Sequence, residues 1–119
     1  MSNKKALGTK EVIELIAEAA LEKQAHDIKV LDIAKTSSIV DYIIICSGES
    51  EPQLRAIEKE IDSRLRKLNV KGFRWQGVAK SGWIVLDLGD MMVHIMGQQE
   101  REYYNLEELW EKDAIIYHY

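Results

Sequence analysis

Apolar residues recur at helical spacing in two segments of the chain. The first follows Thr9, which can cap a helix, and it runs to about Gln24. The second begins at Ser50, a cap residue with Gln53 at the capping-box position, and it stops before Gly72. The apolar stripes contain Val12, Leu15, Ile16, Ala19 and Ala20 in the first segment and Leu54, Ile57, Ile61, Leu65 and Leu68 in the second. Each segment is predicted to be an amphipathic helix that packs one face on a core.

Five shorter apolar segments have the length and pattern of β-strands. Residues 28–33 alternate between two faces, whereas residues 42–46 form a continuous β-branched run that is typical of a central strand buried on both faces. The other predicted strands are residues 73–76, 83–87 and 91–96, and residues 77–82 are predicted to be a loop. A last helix is predicted to open at Asn105, with Glu108 three residues later. The order α-β-β-α-β-β-β-α-α predicts a single α/β domain with a mixed sheet of about five strands, flanked by helices.

The last two predicted strands form a hairpin around Leu88 and Gly89. If the turn is centred on this pair, Leu86 lies opposite Met91, and side chains that lie opposite each other share a face of the sheet. One face is then apolar throughout and belongs to the core: Ile84, Leu86, Met91 and Val93. The other face, with its tryptophan opposite its histidine, carries Trp83, Val85, Asp87, Asp90, Met92 and His94.

This mixed hairpin face has two interpretations. Large amphipathic groups beside carboxylates are typical of a protein-binding patch. Trp83 could equally be a core residue under the C-terminal helices. His94 fits a hydrogen-bonded structural role more often than a ligand or a base, and Asp87 and Asp90 fit turn residues that bond nearby backbone amides. The residue pattern alone leaves both interpretations open.

Composition narrows the class of protein. The chain has 119 residues, of which 46% are hydrophobic and 30% charged, and this is enough for one globular domain with a core of its own. The single cysteine, Cys46, precludes an internal disulfide and fits a reducing compartment. The polar, basic first residues and the lack of any run of 18 apolar residues favour an intracellular protein without a signal peptide or membrane span.

Charge is negative overall but unevenly distributed. A net charge of −4 argues against nucleic acid, bound through phosphate contacts, as the main partner. Residues 55–74 nevertheless contain seven basic and three acidic residues, whereas residues 100–113 contain two basic and six acidic ones. Two solvated helix faces are the simpler interpretation, and a dipolar surface whose acidic end meets a basic partner is the sharper one.

No catalytic constellation stands out in the sequence. Asp87 and Asp90 could share a Mg²⁺ ion in nucleotidyl transfer, but no Asp-x-Asp pair lies on either hairpin strand. Residues 47–50 lack the lysine and second glycine of a phosphate-binding loop, and Cys46 lies in an apolar strand, where a thiol is a poor nucleophile. We therefore expect a binding protein that is not an enzyme and uses no metal or cofactor. A metal-dependent nucleotidyltransferase that uses Asp87 and Asp90 is the alternative.

Two motifs resemble the signatures of the Iojap-like ribosomal silencing factors. The first runs from Asp41 to Gly48 and continues with Ser50, Gln53 and Arg55-Ala56-Ile57. The second runs from Trp83 to Asp90 and continues with Val93-His94, Arg101, Tyr103-Tyr104, Leu106-Glu107 and Leu109-Trp110. The resemblance extends over about residues 10–114 of a single domain, 1–119, and leaves the tail 115–119 outside it.

The resemblance implies a nucleotidyltransferase-like α/β fold from which the catalytic carboxylates are missing. Proteins of this family bind the large ribosomal subunit through its ribosomal protein fourteen, where the small subunit would dock. They thereby repress translation when nutrients are scarce, and some act in subunit assembly. The resemblance also implies a homodimer. The first residues do not resemble a transit peptide, so a cytoplasmic location is expected, and ribosomal RNA is a possible but secondary contact.

On this interpretation the mechanism is steric competition at the mixed hairpin face. Trp83 is the expected aromatic anchor, Met92 an adaptable apolar contact, and Asp87 and Asp90 are expected to meet basic groups of the partner. The other expected partner-binding residues are His94, Arg101 and Tyr103.

Overall fold

A computed structural model describes residues 7–119, which form three α-helices and six strands. The helices are α1 (Thr9–Glu22), α2 (Glu51–Lys67) and α3 (Gln98–Tyr104). The strands are β1 (His26–Asp32), β2 (Tyr42–Gly48), β3 (Arg74–Val78), β4 (Trp83–Asp87), β5 (Met91–Gly97) and β6 (Ile115–His118). Short 3₁₀ helices, Ala79–Ser81 and Leu106–Leu109, follow β3 and α3. No helix within residues 7–119 is long and apolar enough to cross a membrane.

The strands form one mixed sheet in the order β3-β4-β5-β2-β1-β6. The central strands β2 and β5 run parallel, with Tyr42 opposite Met91 at one end and Gly48 opposite Gly97 at the other. The remaining neighbours are antiparallel. Strand β2 is buried over nearly its whole length, as the continuous apolar run at 42–46 predicted. The predicted α/β domain with a mixed sheet is confirmed, with six strands where about five were expected.

Helices α1 and α2 cover one face of the sheet and bury the apolar stripes that predicted them. Ser50 caps α2 as expected, since its hydroxyl oxygen accepts a hydrogen bond of 3.3 Å from the backbone N–H of Gln53. Two details differ from the prediction. Gly8 precedes α1, so that Thr9 is the first helical residue and not the cap. Leu68 lies just beyond the end of α2 and is 52% exposed, so it does not belong to the buried stripe.

The C-terminal part of the chain differs most from the prediction. Helix α3 ends where Asn105 adopts the left-handed conformation (φ 44°), which asparagine tolerates better than most residues. The helix predicted to open at Asn105 is therefore wrong, and a 3₁₀ helix follows instead. The tail expected to lie outside the pattern forms β6, in which Ile115 lies opposite Asp32 of β1.

A second, smaller core lies on the face of the sheet that points away from α1 and α2, which we call the outer face. Its buried members are Leu31, Ile33, Val40, Ile43 and Ile45, and against them pack Met92, Leu106, Trp110, Ala114 and Ile116. The C-terminal segment thus covers the outer face over β1 and β2. Over β3 and β4 the outward side chains stay half-buried or exposed, so this part of the outer face is open.

Candidate functional site

The hairpin between β4 and β5 turns one residue later than predicted. The backbone N–H of Leu88 donates to the carbonyl oxygen of Met91 at 2.9 Å, which leaves Gly89 and Asp90 as a two-residue turn. Gly89 has φ 90°, a conformation that residues with a Cβ rarely adopt. The glycine therefore fixes the position of the turn, and with it the register of the two strands.

The predicted faces of the hairpin are confirmed, but the predicted pairs are wrong by two positions. Leu86 lies opposite Val93, and Trp83 lies opposite Met96 instead of His94. A shift by two leaves the side chains of both strands on their predicted faces because the side chains of a strand alternate with a period of two. The mixed face thus points outward, away from α1 and α2. Asp90 is the exception: it was predicted on the mixed face, but it lies in the turn and contacts Thr9 of α1.

The open part of the outer face presents side chains from three strands. Strand β3 extends through Val78, in a segment that was predicted to be a loop, and Val78 is 60% exposed opposite Trp83. We call this surface the open face. It comprises Val78, Trp83, Val85, Met92, Tyr103 and Tyr104, with Arg74, Gln76 and Asp87 at its rim.

Three aromatic residues make the open face continuous with α3. The ring of Trp83 lies 4.9 Å, centroid to centroid, from that of Tyr104. The ring of Tyr104 in turn meets Tyr103 edge-on at 4.9 Å. Tyr103 is 81% exposed and Tyr104 54% exposed, whereas Trp83 is half-buried. Trp83 is therefore neither a fully buried core residue nor a freely exposed anchor.

His94 lies beneath this aromatic row and is only 7% exposed. Its Nδ1 atom accepts a hydrogen bond of 3.0 Å from the indole N–H of Trp83. Burial lowers the pKa of His94 to about 4, so that the ring is neutral near pH 7. His94 was expected to be a partner contact, but the structure gives it a structural role: it orients Trp83 from below.

Arg101 was also expected to be a partner contact, yet it is 7% exposed and bonded within the chain. Its Nε and Nη2 atoms donate to the two carboxylate oxygens of Glu107 at 3.0 and 3.1 Å. Its Nη1 atom donates to the carbonyl oxygen of His26 and to the hydroxyl of Ser47, both at 3.3 Å. Glu107 also accepts from Lys29 Nζ at 3.0 Å. Arg101 therefore fastens α3 and the following turn to β1 and β2.

The two aspartates of the hairpin do not converge on one point. Asp87 accepts from the backbone N–H of Gly89 at 2.8 Å and faces Arg74 at 3.7 Å, on the open face. Asp90 accepts from the hydroxyl of Thr9, in α1, at 3.4 Å. Among residues 7–119, no group of three or more His, Cys, Asp or Glu side chains is arranged to hold a metal ion. The pair is thus poorly placed to share a Mg²⁺ ion.

The carboxyl ends of β2 and β5 frame the place where open α/β sheets commonly bind ligands. A cavity of about 360 Å³ lies there, and three carboxylates line it with a single lysine, Lys80: Glu49, Glu51 and Glu100. This balance of charge is unfavourable for a phosphate group. Nearby, burial raises the pKa of the Cys46 thiol to about 12, which fits the expectation of an unreactive cysteine.

Comparison with known proteins is consistent across sequence and structure. The sequence profile of the family described as "Ribosomal silencing factor during starvation" matches residues 6–117. The ribosomal silencing factor of Bacillus subtilis is 36% identical over 104 residues, which cover 87% of this chain and 88% of that protein. A mouse protein named for mitochondrial assembly of the large ribosomal subunit is 28% identical, over 87% of this chain and 47% of its own length.

A solved structure of a protein from Chromobacterium violaceum has the same fold. It superimposes with a TM-score of 0.83, at 30% sequence identity, over 88% of each chain. The family profile spans both sequence motifs, and the fold that presents them is shared as well. The chain therefore belongs to the ribosomal silencing factor family.

Proposed function

We propose that this protein binds the large ribosomal subunit through its open face and represses translation by occupying the site where the small subunit would join. Membership of a family named for ribosome silencing supports the ribosome as the target. The observation that carries the proposal is the open face itself, where Val78 and Tyr103 are largely exposed beside the half-buried Trp83. Exposed apolar and aromatic groups rimmed by charges are typical of protein-docking surfaces.

The open face has the composition of a protein interface. Its aromatic centre, Trp83 and Tyr104, provides rigid apolar area, and Met92 can adapt to the shape of a partner. Asp87 at its rim is half-buried and can meet a basic side chain, in exchange for its long contact with Arg74. We propose ribosomal protein fourteen of the large subunit as the partner, as the family resemblance implies. Asp90 and Tyr103 would contribute at the periphery.

Cosedimentation with purified subunits tests this proposal directly. The protein should pellet with large subunits and remain in the supernatant with small ones. In a light-scattering assay of subunit joining, it should slow the association in proportion to its occupancy of large subunits. Equal pelleting with both subunits, abolished by moderate salt, would indicate nonspecific phosphate binding and contradict the proposal.

Steric competition needs no catalysis, so we propose that the protein is not an enzyme. The nucleotidyltransferase alternative requires Asp87 and Asp90 to hold a metal ion together, and the two carboxylates have separate partners. Calorimetric titration with Mg²⁺ and nucleoside triphosphates should show no saturable binding. Nucleotide turnover that disappears in Asp87→Asn would overturn this part of the proposal.

Three further expectations follow from the family resemblance. The protein is proposed to act in the cytoplasm, to contribute to assembly of the large subunit, and to form a homodimer. Sedimentation equilibrium of the purified protein tests the dimer, and a constant monomer mass up to high micromolar concentration would contradict it. Depletion of the protein in cells should slow the maturation of large subunits.

A further inference from the structure

The chain contains a cluster of basic residues, most of which take no part in the proposed docking through the open face. From residue 66 to residue 86 the sequence contains five basic residues and no acidic one. These five are Arg66, Lys67, Lys71, Arg74 and Lys80. In a protein with a net charge of −4, such a stretch is a local reversal of sign.

The fold gathers four of these cations at one end of the molecule. Arg66 and Lys67 lie in the last turn of α2, Lys71 lies in the following loop, and Arg74 begins β3. We call these four residues the basic edge, and all four are exposed. The loop between them bends around a shallow cavity of about 400 Å³, lined by Arg66, Asn69, Val70, Lys71, Gly72 and Phe73.

Carboxylates offset part of this charge, and Lys67 lines a groove together with Glu11, Glu14 and Glu18 of α1. Asp62 accepts from Arg66 Nε at 2.9 Å and also from the indole N–H of Trp75 at 2.9 Å. Asp87 lies 3.7 Å from Arg74, whose side chain is 72% exposed. The negative end of the α2 dipole explains basic residues in its last turn. It does not explain Lys71 and Arg74, which lie beyond the helix.

An aromatic side chain is set among these cations. The guanidinium carbon of Arg66 lies 5.3 Å from the centre of the Phe73 ring, and Phe73 itself is half-buried. Unpaired nucleic-acid bases stack on arginine guanidinium groups and on aromatic rings. Clustered positive charges bind the phosphate backbone beside them. Phe73 also packs against the main core, and the part of its ring that stays accessible adds a stacking surface that an acidic protein partner would not use.

We propose that the basic edge binds the sugar-phosphate backbone of RNA beside the docking site. This inference rests on the proposed function, because a protein that docks on the large ribosomal subunit meets a particle that contains RNA as well as protein. The geometry is compatible with it because Arg74 belongs both to the basic edge and to the rim of the open face, where it lies opposite Asp87. One orientation of the protein can therefore bring the open face to a ribosomal protein and the basic edge to RNA.

The salt dependence of binding to a fluorescent single-stranded RNA tests the inference. With four phosphate contacts, the affinity should fall about fifty-fold between about 50 and about 200 mM salt, since each contact contributes a slope of about −0.7. The triple variant Arg66→Gln/Lys67→Gln/Lys71→Gln keeps one contact, Arg74, which also lies at the rim of the open face and is therefore left unchanged. Its affinity at low salt should be much lower, and the same change of salt should weaken it only about threefold.

A matched control separates the position of the charges from their number. The variant Lys10→Gln/Lys35→Gln/Lys112→Gln also loses three positive charges. Its three sites are exposed and lie near β1 and β6, at the opposite edge of the sheet from β3. It should bind the RNA with the affinity and salt slope of the unmodified protein. Equal weakening of both variants, no RNA binding at low salt, or equally strong competition by polyglutamate would overturn the assignment.

Failure of this inference can be distinguished from failure of the proposed function. The variant Val78→Gln/Tyr103→Ala, on the open face, should lose large-subunit binding and keep binding of the RNA oligomer. The basic-edge variant should still pellet with large subunits, with a smaller dependence on salt. If the protein pelleted with no subunit at all, the docking proposal would fail, while the oligomer measurements would still decide the role of the basic edge.

Discussion

At the scale of single residues, the hydrogen bond between Trp83 and His94 organises the open face. The indole N–H is the partner of a buried, neutral imidazole, and the other side of the tryptophan ring carries Tyr104. Loss of the donor would leave His94 Nδ1 buried without a partner, because the ring is only 7% exposed. The exposed aromatic row is thus supported by a polar contact beneath it.

Trp83→Phe should therefore lower the free energy of unfolding by about 1–3 kcal/mol, the cost of a buried unsatisfied acceptor. Trp75→Phe is the matched control. It also removes an indole donor, but Asp62 keeps its bond to Arg66 and some access to water. Urea unfolding should show a smaller loss for Trp75→Phe. Equal losses would mean that the hydrogen bond to His94 contributes no more to stability than the one to Asp62.

His94 should also make stability depend on pH. Its pKa is about 4 in the folded protein, below the ordinary value of 6.5, so the unfolded chain binds the proton more readily. Stability is then fully present above about pH 6.5 and decreases as the pH falls toward 4. Lowering the pH from 7 to 5 should therefore reduce the free energy of unfolding by about 2 kcal/mol through His94 alone. His94→Gln should remove that part of the pH dependence of urea unfolding, and the exposed His118→Gln should not.

At the scale of elements, a buried ion network holds the C-terminal segment on the sheet. Arg101 donates hydrogen bonds to both carboxylate oxygens of Glu107, and Lys29 of β1 donates one to the same carboxylate. Side chains of Arg101 and Glu107 are 8% and 10% exposed, so solvent and salt screen this pair weakly. The network holds α3 and the following 3₁₀ helix against the sheet, and α3 carries Tyr103 and Tyr104.

Removal of one partner from this network should be costly. Arg101→Met leaves the Glu107 carboxylate buried, with Lys29 as its remaining close cation, and should lower the free energy of unfolding by about 3–5 kcal/mol. The double variant Arg101→Met/Glu107→Leu removes both charges and should recover most of that loss. Denaturant unfolding of both variants measures the difference. A double variant as unstable as the single one would show that packing, and not the unpaired charge, dominates.

Sequence pattern predicted the central elements well and the C-terminal ones poorly. The helical stripes identified α1 and α2, because each helix buries one face along its whole length. The continuous apolar run identified β2, because this strand is buried on both faces. The extra strand β6 has only four residues and pairs with β1 from the far end of the chain, so no local pattern reveals it. Asn105 was interpreted as a helix start, although its left-handed backbone ends a helix.

The candidate site could be predicted only in part for a related reason. The hairpin faces followed from alternation, and a register error of two positions could not disturb them. The burial of His94 and Arg101 depends on α3 folding over the sheet, which the sequence does not show. Val78 was missed because glycine at 77 resembled a loop, whereas Gly77 adopts φ 80° within β3.

At the scale of the whole molecule, the two faces of the sheet differ in how completely they are covered. Helices α1 and α2 cover one side, and the C-terminal segment covers half of the other. What remains is the open face, whose exposed apolar groups make no contribution to the main core. Changes of its most exposed side chains, Val78 and Tyr103, should consequently affect binding far more than folding.

Val78→Gln/Tyr103→Ala should weaken large-subunit binding by about 2 kcal/mol or more, as truncation of interface hot spots does. Its unfolding midpoint in urea should stay close to that of the unmodified protein. Ile39→Gln/Tyr119→Ala is the matched control, since it replaces an exposed aliphatic residue and an exposed tyrosine elsewhere. The control should bind normally. Unchanged binding of the open-face variant would exclude this surface as the contact.

The pairing of β1 with β6 also sets the order in which the molecule can be assembled. Strand β1 precedes most of the sheet along the chain, yet its second neighbour comes near the end, with Lys29 opposite His118. The parallel partner of β2, β5, likewise lies beyond α2, β3 and β4 along the chain. Such distant pairings lose chain entropy before they gain contacts, so folding is expected to take milliseconds to seconds. Until β6 arrives, β1 has an unpaired edge, and refolding at high protein concentration should divert chains into aggregates.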